Sequence, residues 1–177
     1  MITKSIKQRL KEYYFLNPDS KLRVRQVERT VDVPLPSAIR YTKELEEEGI
    51  LRSSQITNVI FYSADRASKI FLLEKRLFNI HQLHVSGLIE ALITRLSNPT
   101  IIIFGSYSKG EDTSESDIDI YIETQSKDKI NFKKFETILQ RKIQIFSYTS
   151  ISKVENKELA NNILNGITLN GFVEVFE

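Results

Sequence analysis

Four consecutive large apolar residues, Ile101-Ile102-Ile103-Phe104, run directly into Gly105-Ser106. A polar loop follows, Tyr107 to Ser116, and then the alternation Asp117-Ile118-Asp119-Ile120. Short, wholly apolar runs suit strands buried on both faces. Glycine lets the chain turn sharply and come close to a ligand. If a helix opens at Ser106, its free amides and positive dipole end favour phosphate, and the Ser106 hydroxyl adds a donor. On a strand, residues two apart share a face, so Asp117 and Asp119 project together while Ile118 and Ile120 enter the core. Two carboxylates beside a phosphate site need a counter-charge. Mg²⁺, which takes one or two carboxylates plus substrate phosphates, is the natural candidate, with Mn²⁺ as its substitute. Lys109 is not in a Gly-Lys-Ser/Thr context, which excludes a Walker-type phosphate loop.

Around this run, strands and helices alternate. The pattern predicts strands over Ile118–Ile122 and Ile143–Phe146 and helices over Ile130–Leu139 and Glu155–Leu164. An edge strand is expected within Thr168–Val175. Residues 99–177 therefore read as one mixed-sheet domain. Residues 1–65 read as three helices and a hairpin. Ile6, Leu10 and Tyr13/Tyr14 mark the first helix, and Val24, Val27 and Val31 the second. The third is expected from Ser37 to Glu48, with Ile39, Thr42 and Leu45 as its inner stripe. Asp32 to Ser37, with Pro34 and Pro36, is expected as a turn. Two strand-like runs follow, Ile50–Ser54 and Val59–Ser63. Residues 66–98 read as a helical linker, broken near Asn79 to Val85. Its stripe Leu73, Leu77 and Ile80 is expected as core, with a homodimer seam as the alternative.

Composition narrows the function. The 177 residues contain no cysteine, which removes disulfides, thiolate catalysis and cysteine zinc sites. The net charge of +2 gives no global basic field, although local patches remain open. The apolar stretch Ile70 to Leu96 is interrupted by charges, and the N-terminus lacks an apolar core of signal-peptide length. The expectation is a cytoplasmic protein. His81 and His84 share a helical face without further ligands nearby and are expected as packing or surface residues. Lys127, Lys129, Lys133 and Lys134 are expected as a solvated helix face.

The spacing of Gly105-Ser106 and Asp117-Ile118-Asp119 resembles the minimal nucleotidyltransferases of the DNA polymerase β superfamily. Lys109-Gly110 and Ser116 match the wider pattern of that group. The resemblance implies Mg²⁺-dependent transfer of a nucleoside monophosphate from a nucleoside triphosphate, ATP by expectation, to a hydroxyl of a protein or nucleic acid. It gives Asp117 and Asp119 the catalytic and metal-binding roles, and Gly105, Ser106, Lys109 and Ser116 the nucleotide. Active members usually supply a third carboxylate from the next strand. Here that position is Gln144, with Glu123 and Glu136 as candidate substitutes.

Residues 1–65 resemble a winged helix-turn-helix, with Leu45 to Leu51 similar to the end of a recognition helix entering the wing. That implies duplex DNA on Ser37, Arg40, Tyr41 and Lys43, with Arg23, Arg25 and Arg29 on the preceding helix. The adjacent Glu44, Glu46, Glu47 and Glu48 oppose it. The whole chain resembles winged-helix/nucleotidyltransferase proteins common in archaea: a two-domain α/β (α+β) protein. Relatives acting as antitoxins modify a small helical RNase toxin, a partner the resemblance allows. The competing expectation is a DNA-binding transcriptional regulator whose nucleotidyltransferase-like domain binds a nucleotide without transferring it.

Overall fold

A computed structural model describes residues 4–175. It divides into two compact units between Phe78 and Asn79. Both units take part of the stretch expected as a linker.

In the first unit, α1 (Ile6–Leu16) precedes a two-residue strand β1 (Lys21–Leu22), α2 (Val24–Val31) and α3 (Leu35–Glu47). The hairpin β2 (Leu51–Ile56) and β3 (Val59–Ala64) follows. Ser5 caps α1 by accepting the Gln8 amide. Helix α3 starts two residues earlier than expected: Pro34 is its N-cap and Pro36 sits in the first turn. A first turn tolerates proline because its amides have no helical partner. The buried side of α3 is Ala38, Thr42 and Leu45. Ile39, expected inside, is 43% exposed. The small Ala38 and the Thr42 hydroxyl, which donates to the Ala38 carbonyl at 2.8 Å, take the inner positions instead. The strands form an antiparallel sheet in the order β1-β3-β2. Strand β1 is absent from the sequence reading because two residues carry no periodicity.

Helix α4 spans Lys69–Val85 and α5 spans Leu88–Arg95, the break falling at Ser86-Gly87. The expected core stripe on α4 is overturned at two positions: Leu73 is 54% and Leu77 57% exposed. Phe71 and Lys75 are fully buried in that part of the helix instead. The Lys75 ammonium donates to the Phe15 carbonyl at 3.0 Å, in the last turn of α1. Unpaired carbonyls and the negative dipole end gather at such a terminus, so a cation can be buried there. Hydrophobic periodicity reads lysine as an outside residue, so it turns this helix the wrong way round. His81 and His84 are exposed.

In the second unit, β4 (Thr100–Phe104), a short α6 (Gly105–Lys109) and β5 (Ile118–Glu123) form the central strand–loop–strand. They are followed by α7 (Lys133–Leu139), β6 (Ile143–Tyr148), α8 (Lys157–Leu164) and β7 (Ile167–Asn170). The sheet order is β6-β5-β4-β7, with β5 and β6 parallel and the other pairs antiparallel. Strand β4 is buried on both faces. Ile101 and Ile103 join Leu88, Leu92 and Phe135 on one side, and Ile102 and Phe104 join Tyr121 and Ile163 on the other. Gly166 lets α8 hand over to β7, since a Cβ there would sit 2.4 Å from the Ile103 carbonyl oxygen. Asn156 and Asn131 accept amides at the starts of α8 and α7, which therefore begin later than hydrophobicity suggests. Among the described residues no helix is long and apolar enough to cross a membrane.

Candidate functional site

The second unit gathers its unusual chemistry at the end of β4. Antiparallel register sets Phe104 opposite Asp119, so the chain turns into Gly105 beside that carboxylate. Gly105 has a φ of +70°, and a Cβ on it would lie 2.5 Å from Asp119 Oδ2. Both the conformation and the space thus require glycine. Ser106 and Lys109 lie on α6, half-buried and exposed respectively, and Ser108 Oγ braces the turn by donating to the Gly105 carbonyl at 2.8 Å. Gly110 closes α6 in the left-handed region, with a φ of +76°.

Asp117 is exposed, just before β5, and Asp119 is half-buried on it. Burial first, and the Asp117 charge second, hold the Asp119 carboxyl above its ordinary value. Neither carboxylate forms an ion pair with a described residue. The sequence-derived Ser116 has a local task. Its Oγ accepts the Thr113 amide at 2.9 Å and so shapes the turn that delivers Asp117.

On the other side of β5, parallel register sets Gln144 beside Asp119. Gln144 is exposed and shares that face of the sheet. Neither candidate substitute completes a three-carboxylate cluster. Glu123 lies four residues along β5, roughly 13 Å at strand rise, and accepts the Tyr121 hydroxyl at 2.7 Å. Glu136 borders a cleft of about 720 Å³ that Asp117 also lines, but its Oε1 accepts the Ile143 amide at 3.1 Å. Among the described residues, no group of three or more His, Cys, Asp or Glu side chains is arranged to hold a metal ion.

A buried polar group, missed in the sequence, supports the loop. Asp112 is 1% exposed and lies between Asn79 and Arg141. Asn79 Nδ2 donates to Asp112 Oδ1 at 2.8 Å and to the Tyr107 carbonyl at 2.9 Å, and the Arg141 guanidinium lies 3.9 Å from Asp112 Oδ2. The group ties α6, the loop before Asp117 and the turn before β6 to one point. Nothing in the local pattern signals it, because the three residues are 29 or more positions apart from one another.

In the first unit, Ser37, Arg40, Tyr41 and Lys43 all lie on α3, but not as a free basic face. Ser37 and Tyr41 are half-buried, and Tyr41 packs against the core. Lys43 is exposed. Arg40 Nε donates to Glu44 at 2.7 Å, and its guanidinium stacks on Tyr41. Glu44 also receives Lys7, and these two hydrogen bonds, Arg40 first, hold its carboxyl below the ordinary range. Arg25 and Arg29 are on α2, whereas Arg23 is its N-cap.

Residues 85–167 match the family model described as Nucleotidyltransferase domain. The match supports the nucleotidyltransferase superfamily for this stretch, with nucleotidyl transfer from a nucleoside triphosphate and a divalent metal as that family's general chemistry. No curated protein and no solved structure matches the chain significantly.

Proposed function

We propose that the second unit binds a Mg²⁺-complexed nucleoside triphosphate, ATP by preference, and transfers its nucleoside monophosphate to a hydroxyl. The observation that carries this reading is the carboxylate pair Asp117/Asp119 beside Gly105, neither of which forms an ion pair with a described residue. Mutual repulsion of two carboxylates is relieved by a divalent cation, and the missing Cβ of Gly105 leaves Asp119 Oδ2 open on that side. Two protein carboxylates fit one ion whose remaining ligands are phosphate oxygens and water. The bound ion supplies charge neutralisation of the triphosphate. Asp117 and Asp119 orient the complex, and the amides of Gly105 and Ser106 with the Lys109 ammonium hold the phosphates. The acceptor is a hydroxyl on a protein or nucleic acid, and a small helical toxin is the partner the family resemblance allows.

Gln144 favours a second reading, in which the nucleotide is held without transfer. A neutral amide beside Asp119 binds metal weakly and cannot accept the proton of the attacking hydroxyl. Incubation with labelled ATP, Mg²⁺ and candidate protein or RNA acceptors separates the two. Transfer that disappears in Asp117→Ala/Asp119→Ala supports the enzyme. Nucleotide binding by calorimetry, with transfer appearing only in Gln144→Asp, supports the second reading. Label transfer that survives loss of both aspartates sinks the catalytic assignment.

For the first unit, the order α1–β1–α2–α3–β2–β3 supports a winged-helix reading and a nucleic-acid-binding module. Duplex DNA on α3 would require Arg40 to leave Glu44. The exposed row Ile70, Leu73 and Leu77 on α4 would suit a second copy of the chain.

A further inference from the structure

The first unit carries a charge imbalance that α3 does not explain. Lys4, Lys7, Lys11 and Arg40 are each committed to a glutamate. Lys21, Arg23 and Arg52 are exposed, and none forms an ion pair among the described residues. Strand pairing brings Lys21 and Arg52 together, and Arg23, the N-cap of α2, directly follows β1. Register aligns Lys21 with Ser63 and Ser63 with Arg52, so Lys21, Ser63 and Arg52 leave the same face of the sheet. At two inter-strand spacings, the Lys21 and Arg52 backbones are roughly 10 Å apart. The opposite face holds Leu51, Tyr62 and Ala64, all buried. Two residue pairs along, Phe61 and Ser54 are aligned on the outward face. The Lys21 ammonium and the Arg23 guanidinium lie 5.5 and 5.2 Å from the Phe61 ring centre. The Ser54 hydroxyl has no hydrogen-bond partner among the described residues, and it lines a hollow of about 380 Å³ with Lys21, Arg52 and Ser63. The acidic group bordering that hollow, Asp19, is paired with Arg66 at 2.8 Å.

We propose that this outward face of β1-β3-β2 binds single-stranded nucleic acid, with phosphates on Lys21, Arg23 and Arg52 and a base against Phe61. Three like charges within about a Debye length repel one another, and a polyanion relieves that repulsion. An aromatic ring set among cations is matched by an unstacked base, whose flat face a duplex keeps hidden. The alternative surface, α3, carries Arg40 and Lys43 against Glu44, Glu46, Glu47 and Glu48, a net negative balance. The assignment is independent of nucleotide transfer by the second unit.

Fluorescence anisotropy of a labelled oligothymidylate with the full chain tests it. Binding should weaken with salt along a log–log slope near −2, the value for about three phosphates on a single strand. Lys21→Ala/Arg52→Ala should lower affinity at least about tenfold and flatten the slope to near −0.7. Phe61→Ala should lose about tenfold at an unchanged slope, and Phe61→Leu provides the same test if the alanine variant unfolds. Arg40→Ala/Lys43→Ala should bind as the parent does. Three results would each overturn the proposal. They are no binding at low salt, loss of binding in the α3 variant with retention in the sheet variant, and tighter binding of a duplex than of the single strand.

Discussion

The Gly105–Asp119 corner of the second unit and the outward sheet face of the first are opposite in sign and alike in construction. Each places like charges side by side on a sheet strand or next to its end, with no ion pair to them among the described residues. Among the described residues, Asp117 and Asp119 form no ion pair with a cation, and Lys21, Arg23 and Arg52 form none with a carboxylate. Two buried charges are compensated. Asp112 lies between Asn79 and Arg141, and buried Lys75 meets the Phe15 carbonyl. The contrast sets charges that hold the fold against charges that we propose meet a ligand. An uncompensated group loses stability until something binds it, whereas a compensated one loses stability when its partner is removed.

The strongest way to break this comparison is Asp112→Ala. Removing one side of a buried charge pair should cost about 3 kcal/mol, read as a lower urea midpoint. A change near zero would mean that the Asn79–Asp112–Arg141 group does not hold the loop. Gly105→Ala comes next. The new methyl meets Asp119 Oδ2 at a φ of +70°, so stability should fall by about 1–3 kcal/mol. Calorimetric nucleotide binding should disappear with it.

Asp119→Asn should act in the opposite direction. The folded-state pKa of Asp119 lies above its unfolded value because of burial and the Asp117 charge. Its stabilising contribution is present while it is protonated and is lost as pH rises through the folded pKa. The asparagine variant should therefore melt higher than the parent near pH 7. Its advantage should fade as pH falls towards the ordinary carboxylate value of 3.8. Added Mg²⁺ with nucleotide should raise the melting temperature of the parent and not of the variant. A variant that melts lower at every pH would show that Asp119 stabilises the fold. The smallest effect should come from Arg40→Ala. Its ion pair with Glu44 is exposed, and such pairs contribute little, so the melting curve should superimpose on that of the parent.

The sequence by itself determined the strand–turn–strand at Thr100 to Ile122. An apolar run, a glycine and an alternation of acid with isoleucine are all local patterns, and backbone geometry translates them directly into a buried strand, a sharp turn and a second strand that Asp117 immediately precedes and Asp119 lies on. It also placed Gln144 at the next strand, where tertiary structure then set it beside Asp119. What the sequence misread depended on partners far along the chain. Periodicity assigns Leu73 and Leu77 to the core because it carries no sign that Lys75 meets Phe15, sixty residues earlier. The Asn79–Asp112–Arg141 group and the row Lys21–Ser63–Arg52 likewise exist only once distant segments pack and pair. Periodicity reports which side of an element prefers water. Whether a charge on that element finds a partner or is left for a ligand is a property of the neighbours that folding brings to it.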